Sequence, residues 1–217
     1  MKFITEKNEI VDCLQMGASI AERRQTIPIL ANLKIVALDG KLEITATDLE
    51  IQLKTVSEVK EVIEEGETTV SARKMSELCR SLPDKEALQF NLNNGKLTVS
   101  SKNFHADFAT ISALDFPELD IKEETDSLPI ESKTLKRLLN KTAFCMASQD
   151  VRYYLNGLLV EYKEGNINAV ATDGHRLALA TSQLKETIKE AEGKRQIIPR
   201  KAVLELAKIL REDNSNI

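Results

Sequence analysis

A chain of 217 residues with 42% hydrophobic and 29% charged side chains has the make-up of a soluble globular protein, long enough for one large or two ordinary domains. No apolar run approaches the ~20 residues that span a bilayer, and Met1-Lys2-Phe3-Ile4-Thr5-Glu6 lacks the apolar stretch of a signal peptide, so a cytoplasmic protein with no membrane partner is expected. The net charge of −4 argues at first against a polyanionic partner, and three cysteines without Cys-x-x-Cys spacing, beside two histidines, argue against a metal site; reduced, buried thiols and no cofactor are expected.

Taken in order, Phe3–Thr5 reads as a strand and Asn8 as the cap of a helix to Ala21, with Ile10, Leu14 and Ala18 on its buried face. Leu30–Val36 and Leu42–Thr45 form a hairpin about Asp39-Gly40, and a strand from Leu49 to Val56 follows. Glu61–Gly66 reads as a polar connection, then Thr68–Val70 as a strand, and Ser71 caps a helix over Ala72–Leu82. Three strands, Ala87–Leu92, Lys96–Ser100 and His105–Ile111, follow, the first two joined at Asn93-Asn94-Gly95. The acidic, Pro-containing stretch Ala113–Glu124 reads as a domain junction. The order then restarts: a strand over Leu128–Ile130, a helix over Lys133–Ser148, a hairpin of Leu155–Glu161 and Ile167–Val170 about Glu164-Gly165, a strand over Leu177–Thr181, another over Gln196–Ile198, and a helix from Pro199 to Arg211.

The two passes superimpose. At an offset of 125 residues, Leu30, Leu33 and Gly40 match Leu155, Leu158 and Gly165, and Ala46-Thr47-Asp48 matches Ala171-Thr172-Asp173. The chain is therefore expected to be α+β and duplicated, with two helices on antiparallel sheets in each copy: a first domain over 1–120 and a second over 121–217. Nothing after the last helix corresponds to Ala87–Ile111, so the second domain is expected to be incomplete, with an unpaired sheet edge, in a truncated chain.

The duplication organises the charge. The stretches 7–24, 73–80, 133–141 and 200–211 carry net 0, +2, +4 and +3, which leaves −13 for the rest of the chain. Lys133, Arg137 and Lys141 recur every four residues, where like charges repel by about 0.2–0.5 kcal/mol per pair. Basic helices at equivalent places in a duplicated unit point to a surface that tracks phosphates, and with no base-reading motif the contact is expected to be independent of sequence. Arg73, Lys136, Arg137, Lys141, Arg200 and Lys201 are the helical candidates.

Gln149-Asp150-Val151-Arg152-Tyr153-Tyr154-Leu155-Asn156-Gly157, followed by Ala171-Thr172-Asp173-Gly174-His175-Arg176-Leu177, resembles the bacterial DNA polymerase III beta subunits, the sliding clamps. Thr26-Ile27-Pro28-Ile29-Leu30, Ala46-Thr47-Asp48-Leu49-Glu50 and Asp115-Phe116-Pro117 carry the same resemblance, which implies the DNA-clamp fold. It implies a non-catalytic processivity factor: a ring of two chains with three domains each, which encircles duplex DNA and tethers the replicative polymerase. Helices would line the hole and sheets the outside, and here the third domain is absent. It implies DNA contacts at Arg24, Gln149, Tyr153 and Tyr154. It implies a pocket for short peptides of the polymerase and clamp-loader subunits at Leu155, Thr172, Gly174, His175, Arg176 and Leu177. It also implies a homodimer interface that includes Lys74, Leu78, Leu82 and Phe108. Two rival readings remain. Asp173 and His175, two residues apart in an expected extended segment, could serve a hydrolase, although no Gly-x-Ser-x-Gly or P-loop accompanies them. The other is a protein-interaction scaffold with no DNA role.

Overall fold

Three dipeptides that the sequence marks as turns fold alike. Asp39-Gly40, Asn94-Gly95 and Glu164-Gly165 have φ of 49° and 73°, 49° and 73°, and 52° and 74°. These are the left-handed pairs of a type I′ turn, whose twist matches that of the strands it joins. The structure, a computed structural model, describes residues 1–21, 27–83, 85–119, 128–184, 192–213 and 215. It divides into two units, Met1–Asp120 and Ile121–Ile217.

The first unit runs β1 (Lys2–Glu6), α1 (Lys7–Ile20), β2 (Asn32–Leu38), β3 (Lys41–Thr47), β4 (Gln52–Glu58), β5 (Glu61–Glu64), β6 (Gly66–Ser71), α2 (Ala72–Ser81), β7 (Ala87–Asn93), β8 (Lys96–Ser100) and β9 (His105–Ile111). The strands join in the order β4-β3-β2-β6-β9-β8-β7-β1-β5. Inward residues of these strands meet Ile10 and Leu14 of α1 and Met75 and Cys79 of α2 in one core. Within it Phe3 and Phe90 stack with centroids 4.5 Å apart. Ser71 caps α2 as expected, accepting from the Lys74 N–H.

The second unit runs α3 (Ser132–Thr142), β10 (Gly157–Lys163), β11 (Asn166–Thr172), β12 (Leu177–Gln183), β13 (Arg195–Pro199) and α4 (Arg200–Ile209). Its sheet order is β12-β11-β10-β13. This repeats β4-β3-β2-β6 strand for strand. The helices repeat too: α1 packs on β3 and β4 as α3 packs on β11 and β12, and α2 on β2 and β6 as α4 on β10 and β13. Leu138, Leu139, Leu158, Ile167, Ala169 and Val203 form its core. The chain is α+β and internally duplicated.

Several element boundaries differ from the sequence reading. α1 starts at Lys7 rather than after Asn8, because the Glu9 carboxylate accepts the Glu6 N–H at 2.8 Å and starts the helix a residue earlier. Glu61–Glu64 is a strand, not a connection: it pairs with β1 at the sheet edge, where a mostly polar sequence is tolerated. Pro28–Ala31 and Tyr153–Leu155 are 3-10 turns that precede β2 and β10, not parts of them. β4 starts at Gln52, after a turn that holds Leu49. α3 ends at Thr142, whose hydroxyl donates to the Leu138 carbonyl, and continues as a 3-10 turn over Ala143–Cys145. α4 ends at Ile209. Leu128–Ile130 is not a strand. Its counterpart β1 is held between β7 and β5, and neither has a partner-strand equivalent among the described residues of the second unit.

Candidate functional site

The two Thr-Asp motifs build one and the same turn. In the first unit the Thr47 hydroxyl donates to the Ile51 carbonyl at 2.8 Å and accepts the Leu49 N–H at 3.1 Å. The Asp48 carboxylate accepts the N–H groups of Glu50 and Ile51 at 3.0 and 2.9 Å. In the second, Thr172 donates to the Arg176 carbonyl at 2.8 Å and accepts the Gly174 N–H at 3.1 Å, while Asp173 accepts from His175 and Arg176 at 3.0 Å each. Threonine and aspartate are needed because the hydroxyl both donates and accepts across the turn and the carboxylate takes two backbone donors at once. The third position has positive φ in both, Leu49 at 76° and Gly174 at 89°. Asp173 also takes the Arg176 Nε at 2.9 Å, and these bonds hold its carboxyl at a pKa of about 2. The segment is thus a turn rather than extended. The carboxylate is engaged by backbone and by Arg176, not by an imidazole, which removes the geometric basis for a hydrolase pair.

Around this turn the structure gathers the second motif. The Asp150 carboxylate grips the Arg152 guanidinium at 2.9 and 3.0 Å and its N–H at 2.8 Å, which depresses the Asp150 pKa to about 2. Asn156 closes the loop, accepting the Asp150 N–H at 3.0 Å and donating to the Asp150 carbonyl at 2.8 Å. Arg152 lies over Gly174, where a Cβ would sit 3.2 Å from its Nη2. Arg176 lies 5.8 Å from the centroid of the Phe144 ring, itself 60% exposed. Tyr153 and Tyr154 meet edge to face and stand exposed, as does Leu177, whereas Leu155 is buried. Thr172, Gly174, His175, Arg176, Leu177 and Tyr154 are therefore surface residues of one unit. Asp150 and Arg152 lie within the motif that carries the resemblance but received no role from the sequence, their Asp-x-Arg spacing being the available signal, and nothing local marks Phe144.

The basic helix residues divide. Arg137 and Lys141 are exposed on α3, Arg137 donating to the Thr181 carbonyl at 3.4 Å. Lys133 has Glu131, two residues back, at 3.6 Å, and the fold brings Glu212 to 3.4 Å from Lys136. Arg73 is 2.8 Å from Glu77 one turn on. Arg200 turns inward, donating from Nη1 to the Met146 carbonyl at 3.0 Å, so it braces the end of the 3-10 turn after α3. Lys201 is half-buried and Gln149 exposed, and Arg24 lies outside the described residues. Of the interface candidates, Lys74 is exposed, Leu78 and Leu82 are half-buried against the first core, and Phe108 is buried in it. Among the described residues no cluster of His, Cys, Asp and Glu could hold a metal, and no helix is long and apolar enough to cross a membrane.

A duplicated unit of antiparallel sheet with two helices on one face defines a DNA-clamp fold. Residues 1–120 match the DNA polymerase III beta subunit N-terminal domain, and residues 129–217 match the central domain of the same subunit. The beta sliding clamp of Pseudomonas putida is 39% identical over 97% of this chain, and that of Escherichia coli K12 is 38% identical over 97%; each alignment takes in 57% of the relative's length. A crystal structure of the Pseudomonas aeruginosa sliding clamp bound to griselimycin shares the fold with a TM-score of 0.92 at 37% identity, over 100% of this chain and 58% of that one. Caulobacter crescentus pol III beta does so with a TM-score of 0.91 at 31% identity. The chain belongs to the DNA polymerase III beta subunit family. It spans rather more than half the length of the relatives it matches.

Proposed function

We propose that the chain is the N-terminal and central portion of a ring-forming DNA polymerase processivity factor, which encircles duplex DNA without reading its sequence and performs no covalent chemistry. The observation that carries this is the match of both units, in order, to successive domains of one clamp subunit. The first clamp domain is 1–120, the second is 121–217 and incomplete, and the third lies outside this chain; the whole works in the cytoplasm as a homodimer. Exposed Arg137 and Lys141, with Lys136, Arg73, Lys201, Gln149, Tyr153, Tyr154 and Arg24, meet the DNA backbone, and Arg200 supports that surface from beneath. Mobile, water-bridged contacts of long basic side chains with phosphates leave few fixed bonds to break during sliding.

The exposed turn at Thr172, Gly174, His175, Arg176 and Leu177, floored by Leu155, takes short peptides of the replicative polymerase and clamp-loader subunits. Its support is geometric: the Thr172 and Asp173 bonds hold the Gly174 backbone in place without a partner, and the Arg152 guanidinium that lies over Gly174 can give way to a peptide. The dimer contact lies at Lys74, Leu78, Leu82 and β9. β9 pairs with β6 only at Thr110 and Ile111, so among the described residues His105–Ala109 has β8 on one side and an open edge on the other. An open edge of this kind accepts a strand from a second chain, with Phe108 anchoring it from the core side.

The test is duplex DNA binding titrated against salt for the chain and for a Lys133→Glu, Arg137→Glu, Lys141→Glu variant. The variant's slope of log K against log salt should be shallower by about 2–3, since each phosphate left without its cation takes about 0.9 off the slope. Identical slopes would remove α3 from the DNA surface and favour a scaffold that binds only proteins.

A further inference from the structure

Two asparagine–glycine pairs, Asn94-Gly95 and Asn156-Gly157, are held in opposite ways. An asparagine followed by glycine is open to an intrachain reaction, because glycine has no side chain to shield its backbone nitrogen from the asparagine Cγ. In a folded chain the reaction needs two things: a free side-chain amide, and a peptide plane between the two residues that can rotate.

Asn94-Gly95 has both. The pair is exposed at the tip of the β7–β8 hairpin, with φ of 49° and 73°. Among the described residues the Asn94 side-chain amide, the Asn94 carbonyl and the Gly95 N–H have no hydrogen-bond partner. A Cβ built on Gly95 would meet nothing within 4 Å. Rotating the one peptide plane between the two residues turns type I′ into type II′, the other turn that suits a two-residue hairpin. That rotation keeps Asn94 at positive φ and takes its ψ to about −120°, which brings the Gly95 nitrogen to face the Asn94 Cγ. The strands need not part.

Asn156-Gly157 has neither. The Asn156 side chain accepts the Asp150 N–H at 3.0 Å and donates to the Asp150 carbonyl at 2.8 Å. The Asn156 carbonyl accepts the Arg200 N–H at 2.9 Å, so the plane that would have to turn is bonded. Gly157 is buried and paired with Pro199, and a Cβ there would lie 2.7 Å from the Ile198 carbonyl oxygen.

We infer that Asn94 is a site of spontaneous covalent modification in the folded protein. The Gly95 nitrogen attacks the Asn94 Cγ and gives up its proton to the departing nitrogen. The N–Cγ bond forms, the Cγ–Nδ2 bond breaks, and ammonia leaves a five-membered succinimide. Water then opens the ring. Attack at Cγ restores the ordinary main chain with an aspartate. Attack at the backbone carbonyl leaves the chain running through Cγ, an isoaspartate with one extra methylene in the main chain and a free α-carboxylate. No oxidant, reductant or cofactor is required.

The consequence reaches β9. The Gly95 carbonyl accepts the Thr110 N–H at 3.2 Å and the Thr110 hydroxyl at 2.7 Å. Thr110 and Ile111 are the residues through which β9 pairs with β6. A two-residue turn lengthened by a methylene cannot keep that carbonyl in place while Asn93 stays opposite Lys96. Isoaspartate therefore loosens β9. The inference rests on the first unit alone and requires neither DNA, peptide nor ring.

The experiment ages the 217-residue chain at mildly alkaline pH, below its melting temperature, and follows the tryptic peptides 86–96 and 153–163 by mass spectrometry. Fragmentation places each change at a single asparagine. Asn94 should convert to aspartate and isoaspartate at least tenfold faster than Asn156. In urea, where both pairs are released, the two rates should converge. Asn94→Asp, which keeps the turn chemistry of Asp39-Gly40, has no amide to lose; it should gain isoaspartate severalfold more slowly and keep its melting temperature while the aged wild type melts lower. Comparable rates at the two sites in the folded chain, faster conversion at Asn156, or a disparity that persists in urea overturns the inference. Unchanged melting of the converted wild type overturns the consequence for β9.

Discussion

Gly174 and Leu49 occupy the same position of the same turn, at φ of 89° and 76°, and exchanging their chemistry tests why the second motif carries a glycine. A Cβ in the left-handed region costs about 1–2 kcal/mol. Replacing glycine with alanine recovers about 0.4–1 kcal/mol by restricting the unfolded chain. Gly174→Ala should therefore destabilise the second unit by about 1 kcal/mol, and its Cβ, 3.2 Å from the Arg152 Nη2, would also make that guanidinium give by a few tenths of an ångström. For a unit of this size 1 kcal/mol lowers the melting temperature by about 4–8 °C. Leu49→Gly is the reciprocal change. Leu49 is 48% exposed, so little packing is lost, and relief of the same strain offsets the roughly 0.5–1 kcal/mol entropic cost of glycine. Differential scanning calorimetry on both variants should show Gly174→Ala melting lower and Leu49→Gly at or above the wild type. If Gly174→Ala melts with the wild type while Leu49→Gly loses more than about 1 kcal/mol, the left-handed strain is not what distinguishes the two turns.

Three further outcomes follow from the geometry. Arg200→Met removes the donor to the Met146 carbonyl and should destabilise the second unit by about 1–3 kcal/mol in urea unfolding, whereas Lys141→Met should leave stability within about 0.5 kcal/mol. The carboxyls of Asp107, Asp150 and Asp173 are lowered to about 2 by their hydrogen-bonded partners. A depressed folded pKa contributes stability above the ordinary carboxyl value of about 4 and loses it as pH falls through 2. Melting temperature should thus drop steeply between about pH 4 and pH 2, and an Asp150→Asn, Asp173→Asn variant should show a flatter decline over that window. Burial raises the Cys79 thiol to about 11 and Cys145 is also buried, whereas Cys13 is half-exposed. A thiol reagent at pH 8 should therefore show one fast phase that Cys13→Ser abolishes.

Local signals determined much of this molecule. The type I′ dipeptides, the Ser71 cap and the alternation of apolar residues act within a few residues, so they can be read off the chain and reappear in the structure as turns, cap and strands. The duplication was equally legible, because both copies repeat side chains that their own turns and cores require. Edge strand β5 was not legible, since a strand with one neighbour and an exposed face needs no apolar alternation. The fate of Leu128–Ile130 depended on strands far away in sequence: an apolar triplet becomes a strand only where a neighbour supplies its hydrogen bonds.

At the candidate site the division is sharper. Thr172-Asp173-Gly174 makes its turn locally, because hydroxyl, carboxylate and absent Cβ act on backbone two or three residues away, although the hydrolase reading took Asp173 and His175 to lie in an extended segment. That Arg152 lies over Gly174, that Phe144 meets Arg176, and that Arg200 turns inward while Lys141 faces out were decided by tertiary structure alone. A charge count along a helix registers sign but not direction, and direction is set by what the opposite face of the helix packs against. The two asparagine–glycine pairs show the same limit. Asn94-Gly95 and Asn156-Gly157 are the same dipeptide, and what separates them is the bonds that Asp150 and Arg200 bring to the second, which the dipeptide itself does not contain.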